Sequence, residues 1–232
     1  MIQGGSQQKP KNHVDFKSEF YFSTPIWVAQ APMFLKSMNK LTNKYIKKAE
    51  KQREMIAITG GLGRDRDLNK NPLNQDEIKN LQKKRDSNIV WMNDRWIYKE
   101  IQPYVHEANK NAGWNFDWDF SESCQFTIYK KGQYYDWHSD SWDKPYMEQG
   151  PTKDKIRKLS VTVSLTDPKE YKGGELEFDF RNEDKPNIRT CTEILPKGSL
   201  VVFPSFVWHR VKPVTKGVRH SLVIWNLGYP FR

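Results

Sequence analysis

The feature that most constrains the fold is a change of hydrophobic period at Gly113. Upstream of it, Phe34, Leu35, Met38, Leu41, Tyr45 and Ile46 recur at helical spacing after Pro32, with lysines on the opposite face. Trp96, Ile97, Ile101, Tyr104, Val105 and Ala108 share one face of a second helix, which Pro103 is expected to kink or split. Downstream, Trp114, Phe116, Trp118 and Phe120 alternate with polar residues, as in a half-buried strand. Every later apolar segment is short: 124–129, 159–165, 175–180, 199–203, 208–211 and 218–225. Gly and Pro clusters such as Lys172-Gly173-Gly174 and Pro196-Lys197-Gly198 separate them. Helices first and many strands afterwards predict an α+β chain whose C-terminal half is a β-sandwich or barrel.

A chain of 232 residues is long enough for one sizeable core and crowded for two domains. Residues 1–14 are polar and read as a flexible tail, leaving 15–232 as a single domain with a helical part at about 15–112 and a β core at about 113–230. Two short β-prone runs, 20–22 and 26–28, flank Thr24-Pro25. Residues 57–88 are rich in Gly, Asn and Asp and read as a surface loop, a candidate lid, with a short helix at 75–84. Gly60, Gly61 and Gly63 do not follow the spacing of a phosphate cradle. No apolar run reaches the length of a membrane span, and MIQGGSQQKPKN lacks the apolar stretch of a signal peptide. Cys124 and Cys191, with no CxxC, are expected to be free thiols in a reducing cytoplasm. The net charge of +10 lies largely in 36–53, 79–85 and 144–158. The first of these is the solvated outer face of a helix, and no basic run with interleaved aromatics marks a nucleic-acid groove.

Chemistry concentrates in the strand-rich half. In His138-Ser139-Asp140, residues two apart in an extended segment point to one side, so imidazole and carboxylate can reach one metal. Alone this is a weak signal, because an H-x-D arises readily by chance. His209, in the strand-like Phe-Val-Trp-His-Arg-Val, offers a third ligand. Two histidines and a carboxylate leave one face of an octahedral ion open, an arrangement suited to non-haem Fe(II). Arg219 follows His209 by ten residues, and Ser221 and Trp225 share its parity. A buried arginine needs an anion, and its fork matches a carboxylate such as the far end of an α-keto dicarboxylic acid. His13, His106 and His220 read as exposed or locally hydrogen-bonded, with His220 pointing away from Arg219's side. Gly173-Gly174 reads as backbone geometry, and Glu175 is a remote candidate for an extra ligand.

The stretches YKKGQYYDWHSD (129–140), GGELEF (173–178), GSLVVFP (198–204) and HRVKPVTKGVRHSLVIW (209–225) stand in an order that resembles the prolyl 4-hydroxylase-like branch of the Fe(II)/2-oxoglutarate dioxygenases. The resemblance covers roughly residues 124–227. It implies a double-stranded β-helix (jelly-roll) core with N-terminal helices packed against it. It also implies Fe(II) on His138, Asp140 and His209, with 2-oxoglutarate as co-substrate on Arg219, assisted by Ser221. Tyr129 would lie against the co-substrate and Trp225 would wall the pocket, although both also suit ordinary core positions. O2 would be consumed, succinate and CO2 released, and ascorbate could serve as reductant. Procollagen-type enzymes of animals and plants carry Lys where Arg219 stands, so the likeness is greater to bacterial-type and oxygen-sensing members.

The implied substrate is a peptide or protein, proline-containing by family likeness, handled by a monomer. Trp142 and Tyr146 are candidates for packing on an extended peptide. A free amino acid or small metabolite remains open as substrate. Two rivals are an oxygenase acting on alkylated nucleic acid and a non-enzymatic cupin-like metal-binding protein. The first would carry a second arginine six residues past Arg219, where this chain has Trp225; the second would have no use for Arg219.

Overall fold

A run of apolar side chains at Phe34, Met38 and Tyr45 buries one stripe of a 20-residue helix and leaves Lys36, Lys44, Lys47 and Lys48 in solvent. In the computed structural model, which describes residues 25–51, 73–141, 144–180 and 186–231, this helix is α1 (Pro32–Lys51). Pro32 opens it, where a missing N–H costs nothing. It follows the short strand β1 (Trp27–Gln30). α2 (Gln75–Lys84) starts on a capping box, with the Asn74 side chain accepting from the Asp76 and Glu77 amides and Glu77 accepting from the Asn74 amide. β2 (Arg85–Asp86) and β3 (Asn88–Met92) come next, then α3 (Arg95–Asn111). Phe34 of α1 stacks on Trp96 of α3 at 5.6 Å.

The remaining strands are β4 (Phe120–Ser121), β5 (Cys124–Tyr129), β6 (Tyr134–His138), β7 (Ile156–Ser164), β8 (Lys172–Gly173), β9 (Leu176–Asp179) and β10 (Ile188–Thr190). β11 (Ser199–Pro204), β12 (Trp208–Val211), β13 (Val214–Lys216) and β14 (Arg219–Gly228) complete the order. One antiparallel sheet runs β1-β11-β7-β14-β5-β3, with β4 also on β14. A second runs β10-β9-β12-β6-β2, and β13 pairs with β8. Strands from distant parts of the chain are thus interleaved in two facing sheets, a jelly-roll core with α1 and α3 packed on the large sheet and α2 against β2 and β6 of the second.

The large sheet is buried on both faces, and its alternation is apolar against polar across two interiors. Phe126, Val90, Leu222, Val163, Ile224 and Val161 are register neighbours and share the helix side, where Phe126 meets Tyr45 of α1 at 5.8 Å. The opposite parity, Gln125, Thr127, Tyr129, Ser160, Thr162, Ser221 and Trp225, faces the second sheet. There Phe203 of β11 meets Phe178 of β9 edge to face at 4.9 Å, joining the two sheets. The helix side therefore supplies dry packing, at about 1.5–3 kcal/mol for each large side chain fully buried. The other side can carry polar groups.

Several expectations are corrected. Pro103 does not split α3, because it stands on the exposed face, where water can reach the carbonyl its ring leaves unpaired. The alternation at 114–118 is not a strand. Asn109 bonds both the amide and the carbonyl of Phe116 through its side chain, and Asn115 sits at φ 51, so the segment is irregular until β4. The end of the presumed loop, 85–88, forms β2 and the start of β3, and β10 was not foreseen. Residues 1–14, 20–22 and 57–72, with His13, lie outside the described residues. Cys124 and Cys191 are both free and buried, and burial pushes their thiols up to about 12 and about 11. Among the described residues no helix is long and apolar enough to cross a membrane.

His220 gives the fold a pH dependence. Its ring stacks on Phe126 at 5.7 Å and its Nδ1 meets the Thr166 hydroxyl at 3.1 Å, away from the inner pocket. Burial lowers it from 6.5 to about 4, so the fold favours the neutral ring. That stabilisation is complete above pH 6.5 and is lost as the pH falls towards 4. The melting temperature should fall over this window, and less steeply in His220→Gln; equal slopes, measured by circular dichroism, would contradict this role.

Candidate metal centre

His138 ends β6 and His209 lies on β12, and the two are direct register partners in the second sheet. Antiparallel pairing thus brings together two histidines 71 positions apart (209 minus 138). Asp140 is placed differently from the extended H-x-D expected. It lies beyond the end of β6, in a bend held because the Asp140 and Ser141 amides both donate to the Ser205 carbonyl, at 2.8 and 2.9 Å. The bend still returns the carboxylate to the imidazoles: Asp140 Oδ1 is 3.8 Å from His138 Nε2, and Oδ2 is 3.6 Å from His209 Nε2. One ligand atom from each of the three lies within 4.8 Å of the others, and all three residues are buried.

The hydrogen bonds around the triad orient its side chains. His138 Nδ1 lies 2.7 Å from the Asp136 carbonyl and His209 Nδ1 lies 3.0 Å from the Val207 carbonyl. A carbonyl only accepts, so each Nδ1 carries a proton and each Nε2 is the ring nitrogen left to face the common centre. Burial, reinforced by the facing His209, holds His138 well below its ordinary value, hence neutral. Burial alone would push the Asp140 carboxyl up, but His209, His138 and Arg157 outweigh it and hold it below the usual range. Ser160 donates to Asp140 Oδ2 at 2.8 Å and pairs with the Ser205 hydroxyl at 2.8 Å. The Trp225 indole N–H has no hydrogen-bond partner of proper geometry among the described residues, yet its dipole also favours the ionised Asp140 carboxylate. Two imidazoles that turn Nε2 inward and one carboxylate, converging and individually braced, fit a divalent metal.

Arg219 lies in the same pocket, 3% exposed, and no carboxylate of the described residues pairs with it. Its Nη1 donates to Ser221 at 3.3 Å and its guanidinium lies 5.5 Å from the centre of the Tyr129 ring, its register partner. Gly174 makes room for it: at φ +67, an added Cβ would come within 3.0 Å of Arg219 Cδ. A buried cation with only neutral neighbours fits an incoming anion. Trp225 also lines the pocket, covered by the Arg157 guanidinium at 3.8 Å, and Arg157 is held by both carboxylate oxygens of Glu122. Tyr146 donates to the same Glu122 at 2.8 Å, while Trp142 is outside the described residues. Glu175 is not a ligand here: its carboxylate lies 3.9 Å from Lys212 and outside the converging group. His106 stacks on Trp118. Ser160, Ser205, Tyr135 and Arg85 were missed in the sequence, because a lone Ser, Tyr or Arg on a strand carries no signal without its register partner.

Cobalt(II) titration checks the assembly. His138→Ala, Asp140→Ala and His209→Ala should each abolish tight binding, and Ser160→Ala should weaken it about 10- to 100-fold. Unchanged binding in Ser160→Ala would refute its bracing role.

Residues 124–226 match the family model described as "2OG-Fe(II) oxygenase superfamily". A PKHD-type hydroxylase of Synechococcus sp. (strain CC9311) is 39% identical over 137 residues, covering 56% of this chain and 56% of the relative. Matches to such hydroxylases span from 27% to 56% of their length. Among solved structures, a Pseudomonas putida prolyl-4-hydroxylase superposes with a TM-score of 0.58 at 16% identity, covering 88% of this chain and 93% of that one. A Trichoplax adhaerens prolyl hydroxylase in complex with a hypoxia inducible factor oxygen degradation domain peptide gives 0.58 at 17% identity, covering 88% and 84%. Residues 124–226 are thus similar to the 2OG-Fe(II) oxygenase superfamily, and the chain has a prolyl-hydroxylase-like fold.

Proposed function

We propose that the chain is an Fe(II)- and 2-oxoglutarate-dependent hydroxylase acting on a prolyl residue of a peptide or protein. The observation that carries the reading is the conjunction of a buried His-Asp-His triad with a buried, unpaired Arg219 in one pocket. A metal-binding protein without turnover has no need of the arginine. His138, Asp140 and His209 would hold the iron, and Arg219 with Ser221 would hold the far carboxylate of 2-oxoglutarate, with Tyr129 along its flank. Bound iron supplies the activation of O2, coupled to decarboxylation of the keto acid to succinate and CO2.

The protein's own share is orientation and exclusion of water. The Nδ1 bonds hold both imidazoles in one tautomer, so the Nε2 positions need no rearrangement. Ser160 fixes the carboxylate rotamer, leaving Oδ1 less encumbered than Oδ2. Tyr135 lies flat on His138 at 3.5 Å and Phe203 meets His209 edge-on at 4.8 Å, shielding the imidazoles with apolar surface. Along the pocket, Trp225 with Arg157 stacked on it forms a wall that Glu122 and Tyr146 stiffen. A flat aromatic wall of this kind suits the extended, pre-ordered backbone of a proline-containing peptide. The peptide complex of the Trichoplax neighbour supports a peptide as substrate class.

Succinate release across a panel of proline-containing peptides, with mass location of the added oxygen, tests the reading. Coupled succinate and a one-oxygen gain on proline are expected. Turnover of free amino acids with no peptide turnover would overturn the prolyl assignment. Arg219→Gln should raise the 2-oxoglutarate requirement at least about tenfold, as loss of a buried charged pair implies.

A further inference from the structure

The pocket contains a second guanidinium that the proposed reaction does not use. Arg85, on β2, is 5% exposed and lines the same pocket as Arg219 and the triad. Its Nε donates to the Ser87 hydroxyl at 2.9 Å and its Nη2 to the Gln125 side-chain carbonyl at 2.6 Å. Its plane lies over the Tyr135 ring, 4.5 Å from the centroid, on a residue that itself stacks on His138. All three partners are neutral, and no carboxylate of the described residues pairs with it. By contrast Arg157, a half-buried strand arginine beside the site, is matched by both oxygens of Glu122. A guanidinium has five N–H donors, and two of Arg85's are accounted for.

Neutral partners aim a guanidinium without cancelling its charge. A purely structural buried arginine is more economically paired with a carboxylate, because desolvation of an unpaired cation is costly. Two guanidinium cations therefore share this pocket with one carboxylate, Asp140. Under the proposed function the ferrous ion more than offsets Asp140 and the far carboxylate of 2-oxoglutarate offsets Arg219. Even with both charges of the keto acid counted, the pocket retains an excess positive charge. Arg85 is also not at the Arg219 end. Its anchor Gln125 stands opposite Val223 on β14, between Ser221 and Trp225, on the way to the metal side.

We propose that Arg85 is a second anion-binding residue of the pocket, which takes a carboxylate on the metal side, from the substrate or from the near end of 2-oxoglutarate. This rests on the functional reading above. Ser87 and Gln125 orient its fork, and Tyr135 supports its face. A substrate carrying a carboxylate close to the hydroxylated carbon, as an acidic neighbour or a chain terminus, would be preferred over a neutral one.

The test uses the full chain loaded with Zn(II) and calorimetric titration, so no turnover is needed. First 2-oxoglutarate is titrated into wild type, Arg85→Gln, Arg85→Lys and Arg219→Gln; then acetate is titrated into each 2-oxoglutarate-loaded protein. An affinity for 2-oxoglutarate at least tenfold weaker in Arg85→Gln assigns the carboxylate to the co-substrate. Unchanged 2-oxoglutarate affinity, with acetate binding seen in wild type and lost in Arg85→Gln, assigns it to the substrate. Arg85→Lys, which keeps the charge, should retain part of the binding and guards against a folding defect in Arg85→Gln. Equal behaviour of wild type and Arg85→Gln in both titrations overturns the proposal. In that case, 2-oxoglutarate binding that weakens in Arg219→Gln leaves the functional reading standing, whereas no 2-oxoglutarate binding to wild type fells both.

Discussion

Two hydrogen bonds, from His138 Nδ1 to the Asp136 carbonyl and from His209 Nδ1 to the Val207 carbonyl, decide which nitrogen of each ring is free. Both bonds run to the backbone two residues upstream, so the strand that carries each histidine also sets its tautomer. Register then does the rest: β6 and β12 place the rings opposite one another, and the bend tied to Ser205 brings Asp140 in from the side. A slip by one residue in this pair would turn His138 or His209 to the other face and dissolve the site. The centre is thus a property of strand pairing more than of any loop.

That pairing is affordable because the two sheets divide the work. The large sheet buries its aliphatic face under the helices, where Phe126, Leu222 and Ile224 are essentially inaccessible to solvent. Its inner face is then free to carry Ser160, Thr162, Ser221, Gln125 and Arg219 between the sheets. Buried polar groups of this kind are tolerated only when each has a partner or a ligand to meet. Ser160 has Asp140, Gln125 has Arg85, and Arg219 has only Ser221 and an aromatic ring. Incomplete satisfaction at Arg219 and Arg85 is what the two proposed anion sites would relieve.

Much of this was legible in the sequence, and the failures have physical causes. The change of period at Gly113 separated helices from strands, and α2 was legible to its boundaries because Asn74 and Glu77 form a local capping device. Arg219, Ser221 and Trp225 were grouped correctly because parity along β14 is a local rule. The strand expected at 114–118 failed because Asn109 competes for the Phe116 backbone, a contact seven residues away that alternation does not encode. Ser160, Tyr135 and Arg85 escaped notice for a related reason: their meaning lies in which strand stands beside them. The resemblance to the prolyl 4-hydroxylase-like oxygenases gave the jelly-roll topology, which periodicity alone left as sandwich or barrel.

Under the proposed function one pocket holds a divalent metal and a keto acid at the same time. Anaerobic addition of Fe(II) and 2-oxoglutarate, followed by visible absorption, tests it most directly. A weak charge-transfer band is expected that needs both additions and is lost in His138→Ala and in Arg219→Gln. Metal binding with no band in the wild-type protein, or a band indifferent to Arg219, would contradict it.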